Sequence, residues 1–323
     1  MTPNPAGTIR ATVFGPVGWL GHTVLAVVAY FGGLACLAMA TVGRALRPWT
    51  RLQLPDCERT LLGETIQQLS WMLAMGFPLV GLVHVGMGSF LALQAYYGST
   101  FVDGTGAVVG VGLARNLATL MTGLTLSGLL STRMIPELQA LGNRPVRPST
   151  VDRRSNLPRE GGRTPRLAES PLKLGSLVTP RILAAMIASP VMAFWGFLIG
   201  TLVGWQCADS MLGLMPSTFF LMFLRMIWYR DIVGLMVKGT AFGFLIGLIA
   251  CFEGLRLGEQ EDAGDDGEAE NSRDSSNSRL VHSVLRSTCI AMIAILIANS
   301  SWFILAYHAV PSWGPTLLKP PSP

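Results

Sequence analysis

Charged residues are scarce in this chain, at 13% of 323 positions, where a soluble domain carries about 25%. Half of the residues are hydrophobic and the mean hydropathy is +0.46. The few charges gather between apolar runs, the pattern of a chain that crosses a membrane several times. Cysteine is sparse as well: Cys36, Cys57, Cys207, Cys251 and Cys289 form no CxxC pair, and three of them sit inside apolar runs. They read as small packing residues, and neither a disulfide framework nor a metal site is expected. Four scattered histidines (His22, His84, His282, His308) give metal chemistry no support. There is also no Gly-rich phosphate loop with Lys, no Ser/His/Asp set and no carboxylate pair in a defined context. An intramembrane enzyme therefore lacks a candidate catalytic set, and no cofactor is expected. A net charge of +5 invites a nucleic-acid reading, but the Arg residues lie beside membrane spans, where the positive-inside rule accounts for them.

What is present is a series of long apolar runs. The organising stretch is 69–141, an apolar run at 69–97, a Gly-rich turn and a second run at 108–130. Each exceeds the roughly 20 residues that an α-helix needs to cross a hydrocarbon core. Further spans are expected at 182–205, 232–252 and 289–307. An uncharged stretch at 17–42, with Gly32-Gly33 in its middle, suits either a spanning helix or a bent interfacial one. The fold class is thus all-α: a polytopic membrane protein with five core transmembrane helices and an N-terminal hydrophobic helix, interfacial or spanning.

Charge sets the orientation. The segment 133–181 holds ten basic residues against four acidic ones, a net +6, so the positive-inside rule puts it in the cytoplasm. Gly98–Gly106 has Asp103 and no cation, and 206–224 has Asp209 and no cation, as outer connections should. A short interfacial helix is expected at 219–228, from its Phe and Trp residues. The tract 259–278 is acidic and Ser-rich, with too little apolar surface to fold alone.

Two features of the spans carry information. Gly196, Gly200 and Gly204 are spaced by four, as are Gly239, Gly243 and Gly247, so each set lies along one helix face and lets backbones approach closely. Ordinary packing is the plainer interpretation, and a wall whose sliding opens a cavity is the sharper one. Charges inside spans are rarer, because a centred cation costs at least about 2.5–3.5 kcal/mol. Arg115 and Lys238 lie at similar depth near the outer ends of their spans, with Arg225, Arg230 and Asp231 on the same side. Snorkelling to the headgroups accounts for them, with Asp231 and Lys238 structural. So does a cationic ring for an anionic headgroup, since Arg suits paired contacts to phosphate. His84 and Gln94 are polar residues on the first core span, where such residues hydrogen-bond a neighbouring helix. The candidate substrate-binding residues are Arg115, Lys238, Gln94 and Asp231.

Several motifs resemble those of the MlaE/YrbE family, the permeases of ABC-type lipid transporters. Leu91-Ala92-Leu93-Gln94-Ala95-Tyr96-Tyr97 resembles the end of that family's first core helix. Arg115 matches the Arg of its Arg-Glu-Leu-x-Pro segment, although Asn116 replaces the Glu and Ala118-Thr119 the Gly-Pro. Pro136-Glu137-Leu138 resembles its following turn, and Thr179-Pro180-Arg181-Ile182-Leu183-Ala184 its entry to the next span. Asp231-Ile232, Gly234, Lys238 and Phe242-Gly243 resemble the fourth-span signature, and Glu253-Gly254 with Gly258 the start of the next loop. The resemblance covers about 59–307. It implies a homodimeric permease without catalysis of its own, two cytoplasmic ABC ATPases that hydrolyse ATP, and an outer lipid-binding partner with MCE domains. Phospholipid is the implied cargo and the plasma (inner) membrane the implied location. The domain division is then 1–58 (tail, hydrophobic helix and linker), 59–310 (permease, with inserts at about 138–177 and 259–278) and 311–323 (tail). At 138–177 the family's amphipathic ATPase-docking helix with its Glu-Gln pair is not recognisable, and at 259–278 an acidic insert stands for a Gly-rich turn. These departures leave a second reading open: a membrane scaffold descended from such permeases.

Overall fold

The computed structural model describes residues 5–45, 61–98, 104–142, 171–262 and 272–309. They form helices α1 (Pro5–Ala45), α2 (Leu61–Gly98), α3 (Thr105–Gly112), α4 (Ala118–Gly142), α5 (Pro171–Leu212), α6 (Pro216–Met226), α7 (Tyr229–Asp262) and α8 (Ser272–Phe303). A π-helical turn, Leu113–Leu117, joins α3 to α4, and a second, Ile304–Ala309, follows α8. No strand occurs among the described residues. Hydrocarbon offers backbone groups no partner, so a spanning segment must satisfy them internally, and the helix does so within one segment.

Among the described residues, six stretches are long and apolar enough to cross a membrane: Gly21–Gly43, Leu61–Gly98, Thr105–Ala140, Leu177–Leu212, Tyr229–Gly258 and Asn277–Ala306. The last five are the expected core spans. At 1.5 Å per residue α2 alone is about 57 Å long, so it runs well past a hydrocarbon layer of about 30 Å.

Pair contacts fix the direction of each helix. On α2 and α5, Gly76 meets Met192 and Gly88 meets Gly200, so the two run parallel. On α5 and α7, Pro190 meets Gly239 and Ala185 meets Gly243, which is antiparallel. On α4 and α8, Gly123 meets Ile295 and the Ser131 and Ser287 hydroxyls hydrogen-bond at 3.0 Å, again antiparallel. α4 runs with α7, through Gly123–Phe242 and Leu138–Gly254. These directions are those of five successive crossings.

The spaced glycines explain how tightly this packs. A methyl group on Gly88 would overlap the Gly200 carbonyl, and one on Gly243 would overlap the Ala185 carbonyl. Gly196 leaves room for the His84 ring, 2.6 Å from where its Cβ would stand. α5 is therefore held by α2 on one side and α7 on the other, with close backbone approach standing in for a hydrophobic drive that lipid cannot supply.

Two buried clusters fill the bundle. One, with Met72, Leu126, Leu130, Ile182, Met192 and Phe242, occupies the end from which the Arg-rich 133–181 segment leaves. The other, with Leu91, Val109, Leu113, Phe197, Phe219 and Phe223, fills the opposite end. These are called the basic end and the far end below. At the basic end Glu137 accepts from Arg133 Nε at 2.6 Å and lies 3.7 Å from Arg181 Nη2, while the Arg133 guanidinium stacks 3.7 Å over Trp71.

Two expectations need adjustment. The short helix expected at 219–228 is α6, at 216–226, and it is not merely laid on an interface: Phe219 and Phe223 are buried, seated where Gly106 and Gly110 of α3 leave room. Gly213, in the left-handed region at φ 61°, makes the turn into it, and Pro216 starts the helix with its φ already set. The acidic tract 259–278 is helical at both edges, because α7 extends to Asp262 and α8 begins at Ser272; the stretch between, 263–271, lies outside the described residues. The part of α1 at 21–43 is mostly exposed; Leu37 is buried in the cluster at the basic end, where Tyr30 and Gly33 also meet Phe252 and Tyr30 lies beneath Arg286.

Candidate functional site

At the far end the path from α3 to α4 leaves regular α geometry. Over Leu113–Leu117 the backbone widens by one residue, and the Ala118 N–H reaches back to Leu113 O. Such a turn puts carbonyls out of register with their usual amides, and π-turns of this kind recur at functional sites. Side chains meet the displaced oxygens. Lys238 Nζ donates to Arg115 O, and Thr119 Oγ1 donates to Asn116 O at 3.2 Å. The fully buried His84 ring reaches Ala118 O with Nε2 at 3.3 Å and its own helix's Val80 O with Nδ1 at 2.8 Å.

The same turn presents Arg115 to α7. Arg115 Nε donates to Asp231 Oδ2 at 3.2 Å, and that oxygen also accepts the Trp228 N–H at 3.0 Å. The Asp231 side chain is wholly buried, while that of Arg115 keeps 26% of its surface exposed. Lys238 is buried at 3%. Asp231 and Lys238 are seven residues apart, two turns along one face of α7, which is why both face the turn. Asn299 of α8 completes the group by donating from Nδ2 to Asn116 Oδ1 at 2.6 Å.

Two cations thus lie together in an apolar setting, Arg115 paired with Asp231 and Lys238 with the Arg115 carbonyl. An uncompensated cation there is costly, and the arrangement lowers that cost with an ion pair, a backbone carbonyl and the partial exposure of Arg115. The Arg115 guanidinium, paired with Asp231, keeps part of its surface exposed. Chemically the group can hold an anion, and it contains no nucleophile activated by a base.

Of the four residues singled out by sequence, the structure brings Arg115, Asp231 and Lys238 together. Gln94 is exposed on α2 and makes no recorded hydrogen bond to the cluster. Sequence reasoning missed Asn299 and the linking role of Asn116. The available signal was an Asn in the otherwise apolar run of α8, a polar residue that hydrocarbon tolerates only when partnered.

Residues 173–301 match the family model of Permease MlaE. The chain is similar to a probable ABC transporter permease protein of Rickettsia typhi, 26% identical over 194 residues that make up 58% of this chain and 69% of the relative. It is also similar to one from Rickettsia felis, 23% identical over 243 residues, 74% of this chain and 84% of the relative. A more distant likeness, 23% over 150 residues, links 46% of this chain to 38% of the chloroplastic protein trigalactosyldiacylglycerol 1 of Arabidopsis thaliana. The matched stretch carries Asp231, Lys238 and Asn299 on the helices that build the site. Over 173–301, the stretch that carries α5, α7 and most of α8, this chain is similar to the MlaE permeases.

Proposed function

We propose that this chain is the membrane subunit of an ABC-type transporter that moves a lipid, most simply a phospholipid, between membranes. In this reading it works as a homodimer in the plasma (inner) membrane, with a cytoplasmic ATPase supplying the energy and an MCE-domain protein receiving or delivering lipid outside. The observation that carries it is a partly exposed arginine fixed by a buried carboxylate at the far end. Arg115 is held in place by the buried Asp231 yet still partly exposed, so a phosphodiester could complete its charge through paired, charge-assisted hydrogen bonds. The apolar surface of the spans around it suits acyl chains. The names of the Rickettsia relatives support the ABC permease part, and that of the Arabidopsis protein is in keeping with a lipid cargo.

The test is lipid occupancy of the purified complex. Arg115→Ala should lower the phospholipid that co-purifies or crosslinks, with the dimer intact by size. Arg115→Lys should recover only part, because it keeps a charge for Asp231 but lacks the planar fork. Full occupancy in Arg115→Ala would remove the residue from the site and leave a purely structural ion pair. The same purification addresses the scaffold reading: a complex in which no ATPase accompanies the permease would favour it.

A further inference from the structure

At the basic end, α7 and α8 line an open cavity of about 400 Å³, well separated from the Arg115 cluster. Lys238 and Glu253 are 15 residues apart on α7, about 22 Å at 1.5 Å per residue. Its floor is Glu253, almost wholly buried, and Ser283, also buried. Arg286 reaches across from α8 and donates to Glu253 Oε1 from Nη2 at 2.8 Å and from Nε at 3.2 Å, and it lies 5.6 Å from the centre of the Tyr30 ring. The buried carboxylate is thereby neutralised. Arg256 of α7 and Arg279 and His282 of α8 stand exposed at the rim.

The sequence spacing builds this face. Arg279, His282, Ser283 and Arg286 follow one another at i, i+3, i+4 and i+7, one side of a helix. Arg256 comes one turn after Glu253 on the opposing wall. Three guanidinium groups against one carboxylate leave the cavity with two positive charges that its lining does not balance. The lining also offers a serine hydroxyl and a histidine ring, both able to donate to an oxyanion. Nothing in the Arg115 cluster or in the packing of the bundle uses these groups.

We propose that this cavity binds a phosphate-bearing anion, whose phosphoryl oxygens accept from Arg256, Arg279 and His282 above the Glu253–Arg286 pair. The group could belong to the headgroup of an anionic lipid in the leaflet at the basic end or to soluble phosphate. Planar guanidinium forks suit phosphate oxygens in either case. One internal competitor exists: the connection 259–278 carries eight acidic residues against Arg273 and is tethered at both ends to the helices that form the cavity.

The experiment is native mass spectrometry of the full-length protein in dodecylmaltoside with added dioleoylphosphatidylglycerol, counting lipids retained per chain. The count separates a lipid lost here from one held at the far end. R256Q/R279Q should weaken retention of one lipid per chain by about tenfold, the scale of losing charge-assisted hydrogen bonds, and R256K/R279K should restore much of it. Millimolar inorganic phosphate that displaces this lipid would show that the cavity also accepts the soluble anion; failure to displace it would make the lipid the ligand. Equal retention by wild type and R256Q/R279Q, with no phosphate effect on either, would overturn the proposal. So would retention that occurs only after the Asp and Glu residues of 259–270 are replaced by Asn and Gln, because the acidic tract would then be the native occupant. R286Q is avoided, since it would strand the buried Glu253.

Discussion

Gly88 and Gly86 lie two residues apart on α2, in the same helix and the same stretch of apolar surroundings. A Cβ added to Gly86 would meet nothing within 4 Å, whereas one added to Gly88 would overlap the Gly200 carbonyl and stand 2.9 Å from its carbon and 3.0 Å from its Cα. Those atoms are backbone and cannot turn aside, so α2 and α5 would have to separate. Overpacking of this kind costs about 1–3 kcal/mol, while Gly→Ala in an unobstructed helix interior gains about 0.5–1 kcal/mol. That gain is common to both, so Gly88→Ala and Gly86→Ala should differ by roughly 1–3 kcal/mol, or about fivefold to 150-fold in the folded-to-unfolded ratio. Gly76→Ala should fall between them, because it meets the flexible end of Met192 first. The assay is equilibrium unfolding of the purified chain in mixed micelles, titrated with sodium dodecyl sulfate and followed by circular dichroism. Gly86→Ala and Gly88→Ala variants that unfold at the same detergent fraction would refute the argument that backbone contact between α2 and α5 holds this wall together.

Two more outcomes follow from the charges. Asp231→Asn should destabilise the bundle by about 3 kcal/mol or more, the usual result of removing one member of a buried ion pair. Arg115→Met should then cost less in that background than in wild type, by a coupling of about 1–3 kcal/mol, and strictly additive losses in the same unfolding assay would show the pair to be inert. From the positive-inside rule, Ser149→Cys and Ala269→Cys in a cysteine-free background should both be shielded from an impermeant thiol reagent in intact cells, and labelling of either from outside would reverse the orientation.

The sequence alone determined the five core spans, their order and the one-sided glycine faces, because hydropathy and a four-residue spacing are local properties and in a bilayer they leave the helix as the form of each segment. It also put Arg115 and Lys238 at one depth, since depth follows from position along a span. Which groups those cations meet was decided only in three dimensions. Arg115 reaches Asp231, 116 positions away, and Lys238 reaches the Arg115 carbonyl, 123 positions away, and both contacts depend on the rotation of α7 against α4 and on the π-turn that displaces that carbonyl. Asn299 joins Asn116 across 183 positions for the same reason, and Gln94, equally polar on paper, turns outward. The cavity between α7 and α8 belongs with these: its arginines are spaced for one face in the sequence, but whether that face closes on Glu253 depends on how two antiparallel helices settle against each other.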